Sequence, residues 1–411
     1  MKILLINNFH YRKGGSETVY FNTADILQQH GHEVIFFSCV DEKNEPCRQQ
    51  DFFIKPNNKL SKLKGAIRYF YNTEAKHNIE KLILAEKPDI AHIHLFWGGI
   101  SPSVLNILHK YNIPVVHTAH DYRMVCPAYT FRTPNGNICE DCQGKHFYKC
   151  VKHRCSKGSL AQSVLMAAEM YERNVFFNPT KKIDGFIFVS EFSRTKHIEY
   201  APDFAKVAST VIYNTTKQPA NEFLNHKGRR YFLYFGRLSS EKGVETLINA
   251  FKELTAMQLV IVGTGEEETR LRELASGFNN IEFQGYKQGD DLKHIIADAS
   301  FIIVPSECYE NNPMTIIEGY MQGVPVIGSA IGGIPEIIED GRTGYLFTCR
   351  DKNELIAKIK KASGLSDAEY AQMSISARQF ADNNFNKEEH YNKLITFYKQ
   401  IINNTHEHIQ A

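Results

Sequence analysis

Two glutamates, Glu310 and Glu318, stand with seven residues between them in PSECYENNPMTIIEGYMQGVPVIGS, residues 305–329. Asn312 and Pro313 lie in the gap. Asparagine suits a helix N-cap and proline the first helical position. The spacing therefore predicts a helix from Pro313 to about Gln322, ended by Gly323. Glu310 then lies in the loop before the helix, and Glu318 on its second turn. Amides over residues 312–315, those of Asn312, Met314 and Thr315, lack helical partners and can meet an anion. Two carboxylates beside a bound dianion would be unfavourable, so hydroxyls are their expected partners. A nucleoside diphosphate carrying a further group meets all these demands. Its phosphates would face the helix start. Glu318, with two acceptor oxygens, would take both ribose hydroxyls, and Glu310 would reach hydroxyls beyond the far phosphate.

Two other loops carry chemistry of the same kind. In FGRLSSEKGVETL, Arg237 and Lys242 stand five apart after an apolar strand. They read as solvated surface charges or, beyond a strand's carboxyl end, as the cations that hold a diphosphate and neutralise it as it leaves. In FHYRKGGSET, Gly14 and Gly15 precede a helix start near Ser16, where a backbone can approach phosphate closely. By contrast, VGTGEEETRL (262–271) has Glu268 where a dinucleotide fingerprint needs its third glycine, so a nicotinamide cofactor is not expected.

The elements that must position these residues alternate. Short apolar strands at 2–9, 32–38, 89–94, 113–121 and 185–190 are separated by helical patterns, including a long one over 59–86. After a break at 211–223 the alternation restarts with strands at 231–237, 259–263, 281–285, 301–306 and 324–329, and helical patterns fill 351–404. This predicts two doubly wound α/β units with parallel sheets, whose ligands bind beyond the carboxyl ends of the strands. The 411 residues suit two domains.

A net charge of +2 argues against a nucleic-acid binder. Residues 1–200 hold 26 basic and 19 acidic residues, and the remainder 22 and 27, so the first half is the one suited to an anionic partner. The start MKILLINNF does not read as a signal peptide, and no stretch has the roughly 20 apolar residues of a membrane helix. A cytoplasmic protein is expected, with its nine cysteines as thiols or metal ligands. The basic, aromatic stretch KLSKLKGAIRYFYN (59–72) reads as a membrane-surface contact or, through Leu60, Leu63, Ile67 and Phe70, as an ordinary helix face. In 126–155, Cys139 and Cys142 have the gap of a zinc knuckle, with Cys126, Cys150 and Cys155 nearby.

Taken together, the Gly14–Gly15 loop, HTAHDY (117–122), IYN (212–214), FGRLSSEKG (235–243), Glu310, Glu318, GVPVIGS and GGIPEII resemble the retaining glycosyltransferases of family four. The resemblance covers essentially the whole chain. It implies the GT-B architecture, two Rossmann-like domains facing a cleft. Residues 1–212 would be the acceptor-side domain, with the Cys-rich insert 126–155 and a helix 387–404 packing back on it. Residues 213–386 would bind the nucleotide sugar. It further implies that Glu318 binds ribose, Glu310 contacts the donor sugar, Arg237 and Lys242 hold the diphosphate, and His120 lies beside the reacting sugar. Asp121 would orient His120 or the acceptor. The family loop after the first glutamate contains glycine, where this chain reads ENNPMT. Cys-Pro, Cys-x-x-Cys and His-Arg-Cys elements like those of some family members favour Cys126, Cys139, Cys142 and Cys155 as ligands of a structural zinc. No Asp-x-Asp triplet occurs in the chain, so no catalytic cofactor is expected. The expected function is sugar transfer from a nucleotide diphosphate sugar to a glycan or lipid-linked glycan. The rivals are a sugar-nucleotide epimerase and a non-catalytic binding protein.

Overall fold

Runs such as ILLI, LVIV and FIIV have no polar face, so they are stable as strands only where helices cover both sides of a sheet. The computed structural model describes residues 1–57, 61–216 and 231–410, leaving aside the side chains of 62, 63, 406 and 408–410. It forms two compact units, Met1–Tyr213 with Lys387–Ala411, and Asn214–Asn386. Each unit has one six-stranded parallel sheet.

The first sheet contains β1 (Lys2–Ile6), β2 (Glu33–Phe37), β3 (Ile90–Ile93), β4 (Val115–Ala119), β5 (Gly185–Phe188) and β6 (Ala208–Val211), in the order β2-β1-β3-β4-β5-β6. The second contains β7 (Tyr231–Phe235), β8 (Leu259–Val262), β9 (Ile281–Gly285), β10 (Ala299–Val304), β11 (Val326–Ser329) and β12 (Gly344–Phe347), in the order β12-β11-β10-β7-β8-β9. Sequence reading missed β6 and β12. Both are four-residue edge strands, and β6, ASTV, is only half buried. The stretch 59–86 is two helices, Lys62–Phe70 and Thr73–Glu86, because the Asn72 side chain accepts from the Ala75 amide and starts a new helix.

The last helix, Lys387–Gln410, belongs to the first unit. Its Leu394, Ile395, Phe397, Tyr398 and Ile401 join the core formed by Ile3, Leu5, Val116 and Ile187. Gly185 makes this close packing feasible, since a Cβ there would stand 2.7 Å from Ile401 Cδ1. The same unit buries several imidazoles. Burial pushes His10, His197 and His390 down to about 4 and His117 to about 3, from an ordinary value of 6.5. The unfolded chain takes up protons below pH 6.5 that the folded unit refuses until about pH 4, so this stability is lost as pH falls. Glu172, pushed up to about 7 by burial, works the other way, but the imidazoles outnumber it. The thermal midpoint of the first unit should fall steadily between pH 6.5 and pH 4 in a calorimetric series. A midpoint that stays level or rises over that window would contradict the burial of these rings as neutral groups.

Candidate active site

A doubly wound sheet has a crevice at the carboxyl ends of the two strands where the winding reverses. In the second unit these are β7 and β10, which pair through Leu233 and Ile302. The loop after β7 carries Arg237 and Lys242, and the loop after β10 carries Ser306 and Glu310. Lys242 Nζ lies 2.5 Å from Glu310 Oε1, and Ser306 Oγ donates to the same oxygen at 2.7 Å. Burial alone would lower the Lys242 ammonium, but the charge and hydrogen bond of Glu310, with Cys308 and Tyr234 nearby, together offset it and the net shift is upward. Arg237 donates through Nε to Ser239 Oγ at 3.2 Å and through a terminal nitrogen to Glu241 Oε1 at 2.6 Å. Its side chain nevertheless stays 67% exposed, which leaves guanidinium surface for an anion.

Backbone packing at this edge is tight enough to need glycine. At Gly263 (φ +134) a Cβ would fall 1.9 Å from the Gly236 carbonyl oxygen. At Gly332 (φ +62) it would fall 2.4 Å from the Glu310 carbonyl oxygen, and the neighbouring Gly333 amide donates to that oxygen at 2.7 Å. The backbone of Glu310 is thus clamped from behind while its side chain is clamped by Lys242 and Ser306.

Glu318 lies on the second turn of the helix Met314–Met321 and is partly buried. No described residue hydrogen-bonds to its carboxyl group, and burial pushes it up to about 7. Such a group is unfavourable alone and is relieved by hydroxyl donors. The predicted cap is corrected. The helix starts one residue later, after Pro313, with no side-chain cap. Asn312 Oδ1 accepts instead from the Asn214 amide at 2.8 Å, and its carbonyl from Asn214 Nδ2 at 3.0 Å. This paired contact ties residue 312 to the chain entering the unit and takes the oxygen a cap would use. Among the described residues, Asn312 Nδ2 and Asn214 Oδ1 stay buried without partners. Buried polar atoms are normally satisfied, so both are candidates for ligand contact. Met314 and Thr315 form the uncapped first turn of the helix.

In the first unit the winding reverses between β1 and β3. After β1, the helix Gly15–Gln29 begins with Gly14 as an extended N-cap and no side-chain cap. Glu17 is buried in its first turn, where burial raises its carboxyl. A negative charge there would compete with an incoming anion at Gly14–Gly15.

His120 follows β4. Its Nε2 lies 2.8 Å from Nδ1 of His94, the residue after neighbouring β3. The His94 ring lies 4.3 Å from that of His92, which bonds the Tyr398 hydroxyl and Thr118 Oγ1, each at 2.6 Å. Burial pushes His120 down to about 4 and lowers His92 and His94 as well, so the row is neutral at pH 7. Asp121 Oδ1 accepts from the Arg123 amide at 2.9 Å, bracing the turn after His120. His94, Ser306 and Asn214 were not assigned from sequence. The His-x-His of β3 and the His-x-x-His of β4, on adjacent strands, are the signal that could have found His94.

Cys126, Cys139, Cys142, Cys150 and Cys155 line one small cavity in the first unit, all as free thiols. Of the basic stretch 59–72, Lys59 and Leu60 lie outside the described residues, as does the Leu63 side chain. Ile67 is 59% exposed and Phe70 partly buried. Among the described residues, no helix is long and apolar enough to cross a membrane.

Residues 13–216 match the family model described as Glycosyltransferase Family 4, and residues 216–380 the one described as Glycosyl transferases group 1. An uncharacterized 42.6 kDa protein in the cps region of Klebsiella pneumoniae is 24% identical over 82% of this chain and 87% of its own. The putative colanic acid biosynthesis glycosyltransferase WcaL of Salmonella typhimurium is 28% identical over 40% of this chain, and the match spans 44% of WcaL. Among solved structures, sucrose-phosphate synthase from Thermosynechococcus elongatus superposes with a TM-score of 0.71 at 18% identity, over 97% of this chain and 98% of that one. HepE from Anabaena, solved with UDP and glucose, gives 0.62 at 17%, over 98% and 99%. These likenesses establish the fold. Consecutive family matches from residue 13 to residue 380, on a GT-B fold of two parallel six-stranded sheets, make this chain a member of glycosyltransferase family 4 and a sugar-transferring enzyme.

Proposed function

We propose that the protein moves a sugar from a nucleoside diphosphate to a hydroxyl of a glycan or lipid-linked glycan in polysaccharide synthesis, with retention of configuration and no metal in the chemical step. The observation that carries the reading is Glu318, a partly buried carboxyl with no described partner, one turn into a helix whose start neighbours the Lys242–Glu310 pair. A ribose diol supplies the two donors it lacks. The exposed guanidinium of Arg237 and the Lys242 ammonium receive the diphosphate. As the bond to the anomeric carbon breaks, negative charge grows on the leaving phosphate, and these two cations stabilise it. The leaving oxygen takes the proton of the attacking hydroxyl, which arrives on the same face. His120, held by His94, contributes a neutral imidazole that orients the sugar without adding positive charge beside a carbon that is itself becoming positive. UDP is the first nucleotide to try, since HepE was solved with it. The polysaccharide setting is supported by the likeness to WcaL and to the cps-region protein.

Location in the cytoplasm, with peripheral contact at the inner face of the membrane, completes the proposal. The helix Leu160–Phe176 exposes Val164, Val175 and Phe176, and it packs on the helix Lys62–Phe70, which exposes Ile67. Lys64 is exposed on the same short helix. Apolar side chains beside basic ones suit an anionic bilayer surface.

Two measurements check these readings. Arg237→Ala combined with Lys242→Ala should cut turnover with a nucleotide sugar and its acceptor by at least a hundredfold, since one such anion contact is worth about 3 kcal/mol in a transition state. A loss smaller than about tenfold would contradict the diphosphate assignment, and nucleotide release without any acceptor would favour the epimerase. In vesicle sedimentation, the protein should bind phosphatidylglycerol-rich membranes, and Val175→Ser with Phe176→Ser should weaken that binding severalfold. Equal binding by the wild type and the double variant would remove this face from the membrane.

A further inference from the structure

The segment between Asp121 and the helix Leu160–Phe176 has little regular structure of its own. Its helical pieces are the turn Gln143–Lys145 and the helix Tyr148–His153. Its hydrophobic cluster is Cys142, Phe147 and Cys150 against Ala167 and Met170 of the following helix. At its start Tyr122, Met124, Val125 and Phe131 are buried as well, while the stretch 139–155 rests on that small cluster. The backbone is also strained. Of nine described non-glycine residues with positive φ, five fall here: Tyr129, Phe131, Lys145, Arg154 and Lys157. Such conformations persist only where the surroundings over-determine them.

The five cysteines of this segment converge on one cavity, beside Pro127, Ala128, Phe131 and Arg132. Backbone amides are already aimed at the sulfurs. Those of Ala128 and Phe131 bond the Cys126 thiol, that of Asp141 bonds Cys139, and that of Cys150 bonds Cys142. Such amides remain in place as outer hydrogen-bond donors to the sulfurs of a metal site. The Cys139–Cys142 spacing forms one knuckle of a tetrahedral site. Cys150 is 1% exposed, packs into the hydrophobic cluster and hydrogen-bonds to Cys155, which is only partly buried.

We propose that this cavity is a structural zinc site, with Cys126, Cys139, Cys142 and Cys155 as ligands and Cys150 as a hydrogen-bonding thiol behind Cys155. Four thiolates select zinc over harder divalent ions. Each ligand gives its proton to solvent as the Zn–S bond forms. The consequence reaches the candidate active site. The Cys126 amide donates to the Tyr122 carbonyl at 2.8 Å, so a metal on Cys126 fixes the turn that leaves His120. A competing ligand set exists at the rim. Cys139, Asp141 and His153 have ligand atoms all within 4.8 Å of one another, although Asp141 and His153 already pair at 2.8 Å.

The inference does not rest on the sugar-transfer reading, and its test reads metal rather than turnover. The full-length protein, purified without added metal, should carry about one equivalent of zinc by elemental analysis. C126S and C139S should lose it, while H153A and D141N keep it. Because C126S alone could misfold, the wild-type protein loaded with cobalt supplies a second reading: tetrahedral visible bands with intense sulfur-to-cobalt charge transfer are expected. The proposal is overturned by less than about a tenth of an equivalent of zinc, by metal kept in C126S but lost in H153A, or by a disulfide between Cys150 and Cys155 in the isolated protein.

Discussion

A carboxyl group taken out of water must find a partner or give up its charge. The second unit imposes that constraint twice near one sheet edge and answers it in two ways. Glu310 is satisfied by Lys242 and Ser306, with its backbone locked by Gly332 and Gly333. Glu318 has no described partner, and burial holds its carboxyl near neutrality. The first is a finished arrangement that can orient Lys242 toward an anion. The second is an unfinished one that a ligand with adjacent hydroxyls would complete. The remaining features of the edge, including the exposed Arg237 and the buried Asn312 Nδ2, make sense once these two glutamates differ.

The first unit solves a different problem. It keeps a row of buried imidazoles rigid and neutral. A row from Tyr398 through His92 and His94 to His120 does this with hydrogen bonds at 2.6 and 2.8 Å and close ring contacts. Tyr398 belongs to the last helix of the chain, so the end of the sequence braces a residue placed near its first third. The same helix fills the core over Gly185, which couples the stability of this unit to the row.

Much of this was legible in the residues. Continuous apolar runs marked ten strands because buried parallel strands need them, while β6 and β12 escaped as four-residue edge strands, β6 only half covered. The loops after β7 and β10 were recognisable as a pair of cations and a pair of carboxylates. What could not be read was partnership. The Lys242–Glu310 contact joins residues far apart in sequence, and the Asn312–Asn214 contact overrode a good local cap. Likewise, His94 looked like an ordinary strand residue until β3 and β4 were known to be neighbours. The five cysteines were visible as a cluster in sequence, but their convergence on one cavity depends on backbone turns with left-handed residues that no local pattern signals.

The central claim is that Glu318 holds a ribose diol. Calorimetric titration of UDP and GDP against their 2′,3′-dideoxy analogues, with wild type and Glu318→Ala, isolates that contact in a double-mutant cycle. The account predicts that removing the diol weakens binding of the preferred nucleotide to the wild type at least tenfold, as expected for charge-assisted hydrogen bonds of about 1.5–3 kcal/mol, and changes binding to the variant little. Equal affinity of the wild type for the nucleotide and its dideoxy analogue would contradict it.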